Sequence, residues 1–162
     1  MFIRLILLTF LILSCTSSPR YKSGNSSLPH VKSKKNNKVK YIPVTKAPTL
    51  AEFDTSKKVY KGKSSYYGKD FHGKLTANGE IFDMYGITAA HRTMPLNTVA
   101  RVTNLENDKS IILRINDRGP YVEGRILDCS YGAAKKLDFI NSGTAEVKIQ
   151  VIEWGDNKYM HH

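Results

Sequence analysis

Disulfides have almost nothing to work with in this chain, whose 162 residues include two cysteines, Cys15 and Cys129. If Cys15 is modified, Cys129 has no partner, and a secreted domain must then be held by its core alone. Long apolar runs are also missing. The longest, residues 1–14 (MFIRLILLTFLILS), carries Arg4 and falls short of the about 20 residues a membrane-spanning helix needs. It has the form of the hydrophobic region of a secretory signal. No internal repeat argues for a solenoid or propeller. His72 and His91 show no metal-ligand spacing, so neither a metal nor another cofactor is expected.

The signal ends in Ile12-Leu13-Ser14-Cys15, the pattern of a bacterial lipobox in which the cysteine is lipidated and becomes the first mature residue. Thr16 follows the cysteine instead of an aspartate, which points to an outer-membrane lipoprotein facing the periplasm.

Acidic residues are scarce, 14 against 25 Lys and Arg, for a formal net charge of +11. That surplus is local. Residues 16–63 hold twelve Lys or Arg against Glu52 and Asp54, whereas residues 64–155 hold eleven of each sign. The basic segment is rich in Lys, Asn, Ser and Pro and has no helical or strand period, so residues 15–58 read as a disordered tether. Its charge suits anionic lipid headgroups or acidic wall polymer, or simply keeps it solvated. Nucleic acid is excluded as a partner, since the compartment is wrong and no stacking module is present.

Residues 59–155 remain as one small domain, followed by a short tail, 156–162. Its pattern is mainly β. Residues 59–68 (VYKGKSSYYG) form an aromatic-rich opening strand. Residues 98–105 and 110–117 are apolar runs joined by Glu106–Lys109, a hairpin. Residues 144–154 alternate, with Val147, Ile149 and Val151 on one face and Glu146, Lys148 and Gln150 on the other. Residues 131–139 alone look helical, with Ser130 as N-cap. Residues 94–97 and 118–121 are turns. Short strands with one helix argue for a small β-barrel.

Glu80 follows Asn78-Gly79, a turn-forming pair. Asp117 ends an apolar strand before Arg118-Gly119-Pro120. Strand alternation places it beside Ile115 and Leu113, at the mouth of a hydrophobic barrel, where desolvation would raise its pKa and suit it to donating a proton. Capping of the Gly-Pro turn is the competing role. Asp83 and Asp128 read as turn or cap residues. Cys129 reads as a small buried hydrophobe, with a catalytic thiol beside His91 as the alternative. Tyr66, Tyr67 and Phe71 offer faces on which sugar rings stack, at least one of them belonging to the core.

The ordered blocks Tyr67-Gly68, Phe71-His72-Gly73, Thr76-Ala77-Asn78-Gly79-Glu80, Thr88-Ala89-Ala90-His91 and Asn116-Asp117-Arg118-Gly119-Pro120 resemble the rare lipoprotein A family of septal-ring lytic transglycosylases across residues 64–153. The resemblance implies a six-stranded double-psi β-barrel with one short helix, acting on the glycan strands of peptidoglycan. Glu80, Asp117 and His91 become the catalytic residues. Asp117 is expected as acid/base, Glu80 as the group that orients the sugar or stabilises charge, and His91 as a hydrogen-bond support for one of the two carboxylates. The carboxylates are expected on one face, over a groove lined by Tyr67, Phe71, His72, Asn78 and Arg118. Cell-division proteins are an implied partner class, although residues 156–162 leave no room for the wall-binding repeat that many relatives carry. A non-catalytic, expansin-like glycan binder that tethers membrane to wall is the rival expectation.

Overall fold

The computed structural model describes Lys40, Tyr41, Thr49 and residues 53–160. The signal segment, Cys15 and most of the tether lie outside these residues. Six strands and one helix follow in order: β1 (Val59–Tyr67), β2 (Thr88–Ala90), β3 (Val99–Asn104), β4 (Ser110–Asp117), β5 (Arg125–Ser130), α1 (Tyr131–Leu137) and β6 (Ala145–Glu153).

The strands close into a barrel in the order β1-β5-β2-β4-β3-β6. Strands β1 and β5, and β2 and β4, run parallel, and the other neighbours are antiparallel. A closed six-stranded barrel with one short helix is the fold expected from the sequence. The β3–β4 hairpin, the β6 alternation and the Ser130 cap are as the sequence predicts. Val147, Ile149 and Val151 are buried, while Glu146 is exposed and Lys148 and Gln150 are partly so. Ser130 Oγ accepts the Ala133 N–H at 3.2 Å, and Asp138 closes the helix in the left-handed region. Strands β2 and β5 are not apparent from the sequence. Thr88–Ala90 is too short to show a period, and Arg125–Ser130 mixes Asp128 into an apolar run.

The barrel interior is filled by Ala89, Ala100, Val102, Leu113, Ile115, Leu127, Val147 and Ile149, with Ala133, Ala134 and Leu137 of α1 packed over one end. Cys129 is fully buried in this core, its Sγ 3.5 Å from Ser64 Oγ, and burial pushes its thiol up to about 12. This is the small-hydrophobe role, and it leaves no thiolate for catalysis. Phe53, six residues before the expected domain start, meets Trp154 edge-on at 5.1 Å, and Trp154 Nε1–H donates to the Thr55 carbonyl.

Candidate active site

The site is created by an irregularity in one strand pair. Along β2 and β4, Ala89 pairs with Ile115, but the next residue, Ala90, pairs with Asp117, so Asn116 is an extra residue on β4. Such a bulge re-aims the side chains beyond it. Ile115 stays with Ala89 in the core, whereas Asp117 joins Ala90 at a cleft. The side chains of Arg114 and Asn116 share one side, both reaching Glu80, and Asp117 lines the cleft beside Ala90.

The cleft, about 530 Å³, is lined by Tyr66–Phe71, Ala90, Asp117–Tyr121, Arg125 and Asp128. Asp117 is partly buried, and desolvation raises its pKa against the opposing pull of two backbone donors and Arg118. Those donors are Ala77 N–H at 2.9 Å and Arg118 N–H at 2.8 Å, both to Oδ1. The upward direction matches the sequence reading, and so does the capping of the Arg118 turn. Both descriptions hold for the one side chain. Arg118 is anchored through Nη1 to the His91 and Met94 carbonyls and through Nη2 to Asn157 Oδ1.

Glu80 is not in this cleft. Its two oxygens take Arg114 Nη1 at 2.6 Å and Nη2 at 2.9 Å, and Oε2 also takes Asn116 Nδ2 at 2.9 Å. Arg114 foremost holds its carboxyl below the usual range. It lines a separate depression with Asn97, Val99, Trp154 and Met160. Glu80 and Asp117 thus line different depressions. The reason is the turn itself: Ala77 at its start reaches Asp117, and Glu80 at its end is drawn to Arg114 and Asn116.

That turn is closed by Gly79 N–H to the Thr76 carbonyl, with Gly79 at φ 90°. Asn78 is fully buried beneath it. Its Oδ1 accepts from Thr76 Oγ and the Glu80 N–H, and its Nδ2 donates to Asn97 Oδ1. Asn78 therefore shapes the turn and does not line the cleft. Neither does His72, which is half-exposed and accepts the Met84 N–H on Nδ1.

His91 holds a backbone corner. Its Nδ1 accepts the N–H groups of Thr93 and Met94, at 3.2 and 2.9 Å, and burial pushes its pKa down to about 3. Among the described residues it donates to neither carboxylate side chain; with Nδ1 accepting from two backbone donors, its ring proton is on Nε2. Its own backbone N–H reaches the Asp117 carbonyl at 3.2 Å.

Among the aromatic side chains, Tyr66 packs toward Phe139 and donates to the Ile140 carbonyl. Tyr67 stacks on Phe82 at 4.4 Å and meets Phe71 edge-on, while Phe71 is half-exposed at the cleft rim. Arg125, Tyr121 and Asp128 are cleft residues the sequence reading missed. Asp128 is in mid-strand, not in a turn, between buried Leu127 and Cys129, and its pKa is raised to about 6 by burial. Its signal was the alternation in Ile126–Cys129, which puts an acid opposite the core face. Asp83 does form the expected turn, with Oδ1 accepting the Tyr85 N–H.

Residues 59–149 match the family model described as lytic transglycolase. The chain belongs to this family. Within it, the endolytic peptidoglycan transglycosylase RlpA of Vibrio cholerae is 57% identical over 91 residues, 56% of this chain and 35% of that protein. The RlpA of Pseudomonas aeruginosa strain UCBPP-PA14 is 55% identical over 92 residues, 57% of this chain and 27% of that protein. The RlpA of Neisseria meningitidis serogroup A is 44% identical over 128 residues, 79% of this chain and 52% of that protein. The chain thus spans about a quarter to a half of the length of these family members.

Proposed function

We propose that the protein is a peptidoglycan lytic transglycosylase that cleaves the β-1,4 bond between N-acetylmuramic acid and N-acetylglucosamine and leaves 1,6-anhydro ends. The observation that carries this reading is Asp117, a carboxyl group kept partly desolvated at the floor of a cleft with aromatic walls. A raised pKa lets such a group hold a proton near the pH of the reaction. Asp117 protonates the bridging oxygen as the C1–O4 bond breaks with oxocarbenium-like charge at C1. The resulting carboxylate takes the proton of the C6 hydroxyl as O6 bonds to C1. No water is consumed, and Asp117 ends protonated as it began.

In this reading Glu80 and His91 are positioning residues. Glu80 stays ionised against Arg114 and fixes the turn whose Ala77 N–H holds Asp117. His91 fixes the corner whose carbonyls anchor Arg118. Phe71 and Tyr67 supply the stacking walls, and Arg118 a cation at the rim. The RlpA names of the relatives support the substrate class. The chain works at the cell wall, anchored to the outer membrane by lipid on Cys15.

The test is mass spectrometry of purified peptidoglycan, intact or amidase-stripped, after incubation with the chain and with Asp117→Asn. Release of 1,6-anhydro-muropeptides by wild type alone is expected. Reducing ends would instead make it a hydrolase, and wall binding without products would make it a glycan-binding lipoprotein.

A further inference from the structure

We infer that Asp128 is a second carboxylate of the reaction, facing the same cleft as Asp117 and supporting the positive charge that develops on the sugar. The inference rests on reading that cleft as a glycan-cleaving site.

Three observations converge on it. First, Ala90 pairs with Asp117 across one strand boundary and with Asp128 across the other, so the three form one cross-strand row. Residues in such a row project to the same side, and two strand spacings set the carboxylate-bearing backbones roughly 10 Å apart. The residue between them on β2 is Ala90, whose side chain is a single methyl group. Both acids line the one cleft.

Second, the wall beside Asp128 is polar and unsatisfied. Five buried side-chain polar atoms have no hydrogen-bond partner among the described residues, and three of them, Tyr67 Oη, Arg125 Nε and Asp128 Oδ1, belong to cleft residues. Burying a polar group without a partner costs stability, and a cluster of such groups marks a surface built for something other than stability. A hydroxyl-rich ligand offers both donors and acceptors to this set. Burial raises the Asp128 pKa to about 6, and Arg125 Nη2, 3.0 Å from Oδ2, opposes that rise and leaves Oδ1 unbonded.

Third, Arg114 and Asn116 already hold the oxygens of Glu80, which lines a different depression. Asp70 also lines the cleft but is exposed, so Asp128 is the partly buried acid that accompanies Asp117 there. Its surroundings are Arg125 on its own strand, Tyr67 on β1 and Asp117 beyond β2. It forms no bond to the sugar. The proton still passes from Asp117 to the leaving oxygen and returns from the C6 hydroxyl, while the fixed carboxylate lowers the energy of the charged transition state.

The test compares the full chain with Asp128→Asn, Asp128→Glu and Tyr67→Phe. It measures 1,6-anhydro-muropeptide release as kcat and KM, cosedimentation with intact wall, and thermal melting at pH 7.5. Asp128→Asn is expected to lose on the order of 10²-fold in kcat, as removal of one transition-state electrostatic group does. Its wall binding should stay within about twofold, and its melting temperature should be unchanged or higher, because the amide has no charge to desolvate. Asp128→Glu should recover part of the rate, and Tyr67→Phe should act mainly on KM. A wild-type kcat in Asp128→Asn would overturn the inference. So would a loss of rate that merely tracks a fallen melting temperature. If wild type itself releases no anhydro product, the reading of the cleft fails and takes this inference with it; if wild type cuts and Asp128→Asn cuts equally well, this inference alone fails.

Discussion

The backbone N–H of Ala77 lies 2.9 Å from Oδ1 of Asp117, forty residues further along the chain. That bond ties the Thr76–Glu80 turn to the bulged end of β4. A second tie runs the same way, from Asn78 N–H to the Asn116 carbonyl at 3.1 Å. The turn that carries one acid therefore sets the electrostatics of another, although the two acids line different depressions. Four outcomes follow from this coupling and from the buried groups around it.

Replacing Glu80 by Gln keeps one oxygen for Arg114 or Asn116 and removes the charge. Charge-assisted hydrogen bonds contribute about 1.5–3 kcal/mol, less where partly solvated as here, so a loss of about 1 kcal/mol is expected in denaturant unfolding. Turnover should fall in proportion to how far the turn loosens, with Glu80→Gln retaining more than Glu80→Ala. A residue that itself transferred the proton would lose both to the same floor, and that result would restore Glu80 to a direct role.

For His91, the pKa of about 3 in the folded chain is below the ordinary 6.5, so the unfolded state takes up the proton first as pH falls. Stability that is complete above pH 6.5 is therefore lost progressively down to about pH 3. Asp128 opposes this between its ordinary 3.8 and about 6, where its protonation favours the fold. Melting temperature against pH should thus fall more steeply on the acid side in Asp128→Asn than in wild type. His91→Ala should flatten the His91 contribution while leaving the Thr93 and Met94 N–H groups without their acceptor, at about 1–3 kcal/mol.

Gly79→Ala tests the turn directly. At φ 90° an L side chain is strained, and its Cβ would collide with the Met160 carbonyl and lie 2.6 Å from the Tyr159 ring. A loss of at least about 1–3 kcal/mol is expected in a urea midpoint assay, together with reduced turnover, since Asp117 loses the Ala77 donor when the turn shifts. Gly73→Ala shares the left-handed backbone but meets nothing within 4 Å, so it should cost less than Gly79→Ala.

Asp117 starts the reaction protonated, and its folded pKa is raised above the ordinary 3.8. Turnover should accordingly fall as pH rises through that raised value, with the limb displaced above the range of a solvated aspartate. Substituting Ala77 by Pro deletes the N–H that stabilises the carboxylate, so the limb should move further toward alkaline pH in whatever activity survives. A limb unmoved in an active Ala77→Pro chain would mean that another group sets the profile.

Much of this architecture was legible along the chain. The alternation of Val147, Ile149 and Val151, the polar hairpin between β3 and β4 and the Ser130 cap are local patterns, and each predicts its element because the relevant contacts lie within a few residues. The ordered blocks from Tyr67 to Pro120 pointed to the family for the same reason: they are written in consecutive residues. Thr88–Ala90 and Arg125–Ser130 were harder, since a three-residue strand has no period and an acid inside an apolar run reads as a turn.

What the sequence determined by itself was the barrel, the alternating buried face of β6 and the balanced charge of residues 64–155. Only the tertiary structure decided which acids meet. One extra residue in β4 set Asp117 opposite Ala90 at the cleft, Arg114 drew Glu80 into its own depression, and pairing on both edges of Ala90 brought Asp128 into line with Asp117. A bulge is a mismatch between two strands, and a cross-strand row is a register among three. Neither is a property of any one segment, and so neither could be read until the strands had found one another.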